Sequence, residues 1–115
     1  MSGNMNMLVV TTFEVPGYRV AECKGLVRGI TVRSPNIGQG IVAGLRSIVG
    51  GRVGSFVNVC EQAREEALLQ LVDHAKQLGA NAVIGFRYDS GEVGAAGFAE
   101  VLAYGTAVVL EKTGA

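Results

Sequence analysis

The chain has 115 residues, 49% of them hydrophobic and 17% charged, which excludes a disordered chain and leaves room for one domain, 1–115 with a core of about 7–112. Seventeen glycines without a Gly-x-y period exclude collagen and predict many tight turns and close backbone approaches. Ten basic and ten acidic side chains cancel, without the basic excess of a nucleic-acid or anionic-membrane binder. The balance hides a split: residues 1–60 carry six basic and two acidic groups, residues 61–115 four and eight, which is +4 against −4. The halves attract, within the fold or between subunits, and a surface so poor in charge points to a homo-oligomer. Two cysteines are too few for a disulfide scaffold. The first ten residues lack the pattern of a signal peptide, and no apolar stretch reaches the roughly 18 residues of a membrane helix. A cytoplasmic protein with reduced thiols is expected.

In chain order, Leu8 to Phe13 is β-branched and short and predicts a first strand. Pro16 and Gly17 predict a turn, since proline sets φ and glycine accepts a positive one. Tyr18 to Arg33 predicts a long strand, in which Gly25 and Gly29 mark a bend or bulge. Ser34, Pro35 and Asn36 read as a helix entry, followed by Ile37, Ile41, Leu45, Ile48 and Val49 at helical spacing and by Gly50 and Gly51 as the stop. Gly38, Gly40 and Gly44 leave that helix little stability of its own. The strongest helix is expected over Glu61–Leu78, with Arg64, Ala67, Leu68, Leu71, Ala75 and Leu78 in one stripe. Glu65 and Glu66 are placed toward its positive end, Lys76 toward its negative end, and Gly79 supplies its stop. Ala82 to Tyr88 predicts a third strand, Asp89 to Gly91 a turn, and the run to Gly97 a mobile loop. The last strand, Phe98 to Leu110, sets Phe98, Glu100, Leu102, Tyr104, Thr106, Val108 and Leu110 on one face. The small residues Ala99, Ala103, Gly105 and Ala107 fall on the other, a smooth seat for a helix. The fold class is α+β, an antiparallel sheet packed against helices in the order β-β-α-α-β-β.

The residues offer little catalytic chemistry. Cys23 and Cys60 are 37 positions apart and His74 is the sole histidine, whereas zinc ligands come in pairs a few residues apart. The cysteines read as small apolar fillers and His74 as a surface histidine. No cofactor follows from the spacing; a metal remains an option without a ligand pattern behind it. Gly38 to Gly44 matches neither a dinucleotide fingerprint nor a P-loop, although the amides of Asn36 to Gly40 beside Arg33 could hold an anion. No nucleophile with its base can be assembled, and seven aromatics make no nucleic-acid platform. The unusual residues are charges set inside apolar strands and the main helix: Arg28, Arg64, Arg87, Asp89 and Glu100. Such charges must pair or face water, either as an intersubunit or strand–strand salt-bridge network that Glu22 and Lys24 can join or as a polar cluster lining a pocket or central channel.

Five ordered blocks resemble the YbjQ-like family of small bacterial and archaeal proteins. They are Leu26–Arg33 (LVRGITVR), Gly44–Gly51 (GLRSIVGG), Ala63–Ala67 (AREEA), Leu78–Gly85 (LGANAVIG) with Arg87 and Asp89, and Glu100–Ala107 (EVLAYGTA). The likeness spans about Met7 to Lys112. It implies a compact α+β fold, ring-shaped pentamers, and a candidate polar or interface cluster of Arg28, Arg64, Asn81, Arg87, Asp89 and Glu100. The family carries the labels uncharacterised and "putative heavy-metal-binding", yet these hard polar groups suit a salt-bridge or anion site better than a soft metal. The expected role is structural, or the binding of a small ligand or ion within a homo-oligomer, with the molecular function unknown at this level. The alternatives are a metal-binding protein using Cys23, Cys60 or Glu100 across subunits, and a small enzyme whose site lies at the subunit interface around Arg28, Asp89 and Glu100.

Overall fold

The computed structural model describes residues 7–33, 53–93 and 98–114. Strand β1 is Leu8–Val9, β2 Tyr18–Arg33, helix α1 Val53–Gln77, β3 Ala82–Val93 and β4 Phe98–Lys112. The strands form one sheet in the order β1-β3-β4-β2. The β3/β4 and β4/β2 pairs are antiparallel, whereas β1 runs parallel to β3, so the sheet is mixed rather than purely antiparallel. The expected helix over 34–50 and the segment 94–97 lie outside the described residues, so one helix stands here where two were expected.

Chain reversal before β2 follows the Pro-Gly logic: Gly17 has φ of 84° and the Tyr18 amide donates to Val15 O at 3.0 Å. Within β2 the register slips between Val20 and Glu22 and again between Cys23 and Gly25. After the second bulge the strand alternates regularly. Val27, Gly29 and Thr31 turn toward α1, and Leu26, Arg28, Ile30 and Val32 turn away from it. Gly29 is no bulge. A Cβ there would stand 2.0 Å from Ala67 O and 2.9 Å from Leu71 N, so this glycine lets the helix backbone rest directly on the strand.

Helix α1 begins eight residues before the expected Glu61. No stop signal separates Val53 from that point, and Val53, Phe56 and Val57 already follow helical spacing. Glu65 and Glu66 therefore sit in the helix middle, too far from the positive end to complement the dipole, and the first turn carries no acidic residue. At the other end His74 and Lys76 occupy the last turn as expected of cations. The Ala80 amide then donates to Ala75 O and the Gly79 amide to Lys76 O, a Schellman ending around Gly79.

The core lies between α1 and the sheet. Ala67, Leu71 and Ala75 are fully buried against Val27, Val83, Ala103 and Ala107, so the small-residue face of β4 is the helix seat predicted for it. The buried helix stripe is Ala63, Ala67, Leu71, Val72 and Ala75; Leu78 is exposed and Arg64 half-exposed. A second small cluster, Ala82, Ile84, Val108 and Leu110, sits on the opposite side of the sheet and is covered by Val10 and Val15. Two further boundaries differ from expectation. Regular pairing of β1 ends at Val9 instead of Phe13, because β3 bulges between Ile84 and Arg87, where Gly85 has φ of 63°. And β3 runs through Asp89–Gly91, where a turn was expected, since β4 supplies partners as far as Val93 and Phe98.

Candidate functional site

Four of the six candidate residues share one surface. In the β3-β4-β2 register, Arg87 lies opposite Tyr104, which lies opposite Arg28; the next row is Asp89, Leu102 and Ile30; the next is Gly91, Glu100 and Val32. Residues in register on one strand face point the same way, so Arg28, Arg87, Asp89 and Glu100 all project from the side of the sheet opposite α1. Leu26, Ile30 and Val32 accompany them with 62%, 45% and 53% of their surface exposed. Beyond the 10–17 segment nothing among the described residues covers this open face.

The remaining two candidates lie elsewhere. Arg64, on α1, reaches the other side of the sheet, with its guanidinium 6.0 Å from the centre of the Tyr88 ring and 3.9 Å from Glu61. Its carbonyl accepts from the Tyr88 hydroxyl at 3.4 Å, and the Tyr88 ring stands edge-on to Phe86 at 4.8 Å. Burial pushes the Tyr88 hydroxyl pKa above the usual 10.0; the nearby Glu65 adds to the rise, Arg64 opposes it, and Glu61 adds again. Asn81 stands where α1 gives way to β3. Its Nδ2 donates to Leu110 O at 3.0 Å and its Oδ1 accepts from the Leu110 amide at 2.8 Å. A single amide side chain thus pairs with β4 as a strand residue would.

Arg87 is a clamp. Its Nη1 donates to Thr11 O at 3.0 Å and to Phe86 O at 2.8 Å, and its guanidinium lies 5.9 Å from the centre of the Phe13 ring. Phe13 in turn rests on Gly85, where a Cβ would come within 2.5 Å of the ring. Arg28, Asp89 and Glu100 make no ion pair with another described residue. Ion pairs among the described residues include Arg19–Glu111, Lys24–Glu22 and Arg64–Glu61, and none of these three links Arg28, Asp89 or Glu100.

Several residues that sequence reasoning passed over or read differently shape the surroundings of the site. Strand β2 is an edge strand, and α1 covers part of that edge with side chains: Gln70 Oε1 accepts from the Ile30 amide at 2.9 Å and His74 Nδ1 from the Arg28 amide at 3.4 Å. His74 is therefore a half-buried acceptor rather than a free surface histidine. Cys23 and Cys60 are exposed free thiols rather than apolar fillers. An open groove of about 1080 Å³, lined by Phe13, Val15, Tyr18, Val20, Ile84 and Leu110 among others, lies beside the 12–20 segment and includes none of the six candidates. The signal for the open face was present in the sequence, since Leu26 to Val32 is apolar at positions of both parities. A strand of that kind needs cover on both sides.

Residues 7–111 match the model of the YbjQ family, described as "Putative heavy-metal-binding". The chain belongs to that family. Similar relatives include a UPF0145 protein of Legionella pneumophila strain Paris, 51% identical over 92% of this chain and 100% of that one. Another, from Saccharolobus solfataricus, is 52% identical over 94% of each chain, and one from Pyrococcus horikoshii is 51% identical over 92% of this chain and 90% of that one. Their names assign no activity. A crystal structure of a protein of unknown function from Pediococcus pentosaceus shares the fold at a TM-score of 0.61, with 22% identity over 91% of this chain and 98% of that one. The YbjQ-like description can be tested on the side chains in place. Among the described residues no three His, Cys, Asp or Glu side chains converge on a point where a metal ion could sit. Within one chain the described residues do not fit a soft metal, which wants clustered thiolates or imidazoles. Nor is any helix of the described residues long and apolar enough to cross a membrane.

Proposed function

We propose that this YbjQ-like protein works as an assembled homo-oligomer, in a structural role or as the holder of a small polar ligand or ion where subunits meet. The observation that carries the reading is the open sheet face, where Leu26, Ile30 and Val32 stand exposed on the strand whose Val27 is fully buried. Apolar strand faces are ordinarily covered, and a contiguous one left in water marks a contact surface. The family resemblance favours a ring of five. Two exposed free thiols suit a reducing compartment, in keeping with a cytoplasmic protein.

Native mass spectrometry of untagged protein, purified without chelator, tests this directly. Five subunits of 12.0 kDa give a particle of about 60 kDa. An adduct of fixed stoichiometry identifies a bound ligand or ion by its mass; loss of that adduct in a Cys23→Ser/Cys60→Ser variant would assign it to the thiols. A particle that stays at the mass of one chain overturns the reading.

A further inference from the structure

We infer that α1 guards the free edge of β2: Gln70 and His74 occupy the outward amides of Ile30 and Arg28 and so bar an incoming strand from pairing there. The sheet ends in two edge strands, β1 and β2. β1 is two residues long and offers almost no ladder to a partner. β2 is 16 residues long, and an edge of that length ordinarily carries a device against strand addition. Its first part has one, because the register slips twice between Val20 and Gly25 and bends the strand away from a flat template. From Gly25 to Arg33 the pairing with β4 is regular, and Leu26, Val27, Ile30 and Val32 make that stretch apolar. No described strand pairs with its outer side. A regular, apolar edge of this kind is a template for further strands.

The guard sits in the middle of that stretch. The Ile30 amide donates to Gln70 Oε1 at 2.9 Å and the Arg28 amide to His74 Nδ1 at 3.4 Å. Four residues of helix rise about 6 Å and two of strand about 6.7 Å, so side chains one turn apart meet successive outward amides. Gly29, between the two, permits the approach, since a Cβ there would stand 2.8 Å from Gln70 Cβ. An incoming strand has to offer its carbonyls to the same two N–H groups, and so has to displace two bonds already made within the chain. This edge is distinct from the sheet face that carries the Arg28 and Ile30 side chains. The guard therefore acts whatever meets that face.

The test compares the wild type with Gln70→Ala/His74→Ala and with Gln62→Ala/Gln77→Ala, a control that removes two polar side chains of α1 not bonded to any described residue of β2. Alanine is the best helix former, so α1 persists in both, as circular dichroism checks. In the first variant, hydrogen exchange at the Arg28 and Ile30 amides is expected to accelerate about 5- to 10-fold. Under agitation that variant is expected to form thioflavin-positive aggregate at concentrations where the wild type and the control stay clear. Quenched exchange of the aggregate should find both amides protected again. His74→Asn, whose side-chain oxygen replaces Nδ1 as acceptor, should behave as the wild type, whereas His74→Ala should release the Arg28 amide. A folded double variant that stays as clear as the wild type overturns the guard. So does an aggregate in which the Arg28 and Ile30 amides exchange freely. Should the double variant not fold, Gln70→Ala alone decides, and unchanged exchange at the Ile30 amide overturns the inference.

Discussion

Replacing Gly29 by alanine probes the closest contact in the fold. The added methyl would meet Ala67 O at 2.0 Å, Gln70 Cβ at 2.8 Å and Leu71 N at 2.9 Å. These are backbone and near-backbone atoms of α1, so no flexible tip can swing aside. A contact of that kind needs more than about 3 Å, so the helix must retreat by about 1 Å or more. The retreat lifts Ala67 and Leu71, both fully buried, from Val27 and Ala103. Overpacking of this sort costs about 1–3 kcal/mol, and the strained Gln70 and His74 contacts to the β2 edge add about 1 kcal/mol each. Removing a glycine from a strand returns about 0.5–1 kcal/mol. A net loss of about 3 kcal/mol is expected. With a urea slope near 1.5 kcal/mol/M it lowers the unfolding midpoint by about 2 M, read by far-ultraviolet circular dichroism at one fixed protein concentration. Gly91→Ala is the control: nothing lies within 4 Å of its added Cβ, so it should show only the gain of about 0.5–1 kcal/mol from removing a strand glycine. Gly29→Ala unfolding within about 0.5 kcal/mol of wild type would refute the direct helix–strand contact.

Three further outcomes are expected. Leu71→Ala removes a fully buried side chain from the centre of the helix seat and should cost about 2–5 kcal/mol in the same urea melts. Asn81→Ala deletes both bonds to the Leu110 backbone, which should cost about 1–3 kcal/mol and sharply accelerate hydrogen exchange at the Leu110 amide. Asn81→Asp should not rescue it, because a carboxylate oxygen then faces Leu110 O. Of the three tyrosines, Tyr88 should form tyrosinate above the usual range, a late component of the near-ultraviolet titration that Tyr88→Phe removes. Its raised folded-state value means that the contribution to stability is whole below about pH 10 and fades as pH rises through that value. An unchanged titration curve in Tyr88→Phe would sink the assignment.

How much of this molecule is legible in one dimension depends on the range of the forces involved. Local rules carried the Pro16–Gly17 turn, the bulge at Gly25, the helix stop at Gly79 and the two-faced pattern of β4, because each follows from dihedral preferences or side-chain alternation within a few residues. Five of the candidates were legible as charges set inside apolar segments and Asn81 came only with the family resemblance, yet the six fall in three places. Arg28, Arg87, Asp89 and Glu100 share a surface only because the register of β4 with both neighbours lines them up. Arg64 instead lies over Tyr88 and Asn81 bonds to Leu110, through contacts 24 and 29 residues apart in sequence. The parallel pairing of β1, the extension of β3 through Asp89–Gly91 and the role of Gly29 as a helix seat arise the same way. Pairing partners and the distance of closest approach are set by where distant segments meet, and no pattern within one segment carries that information.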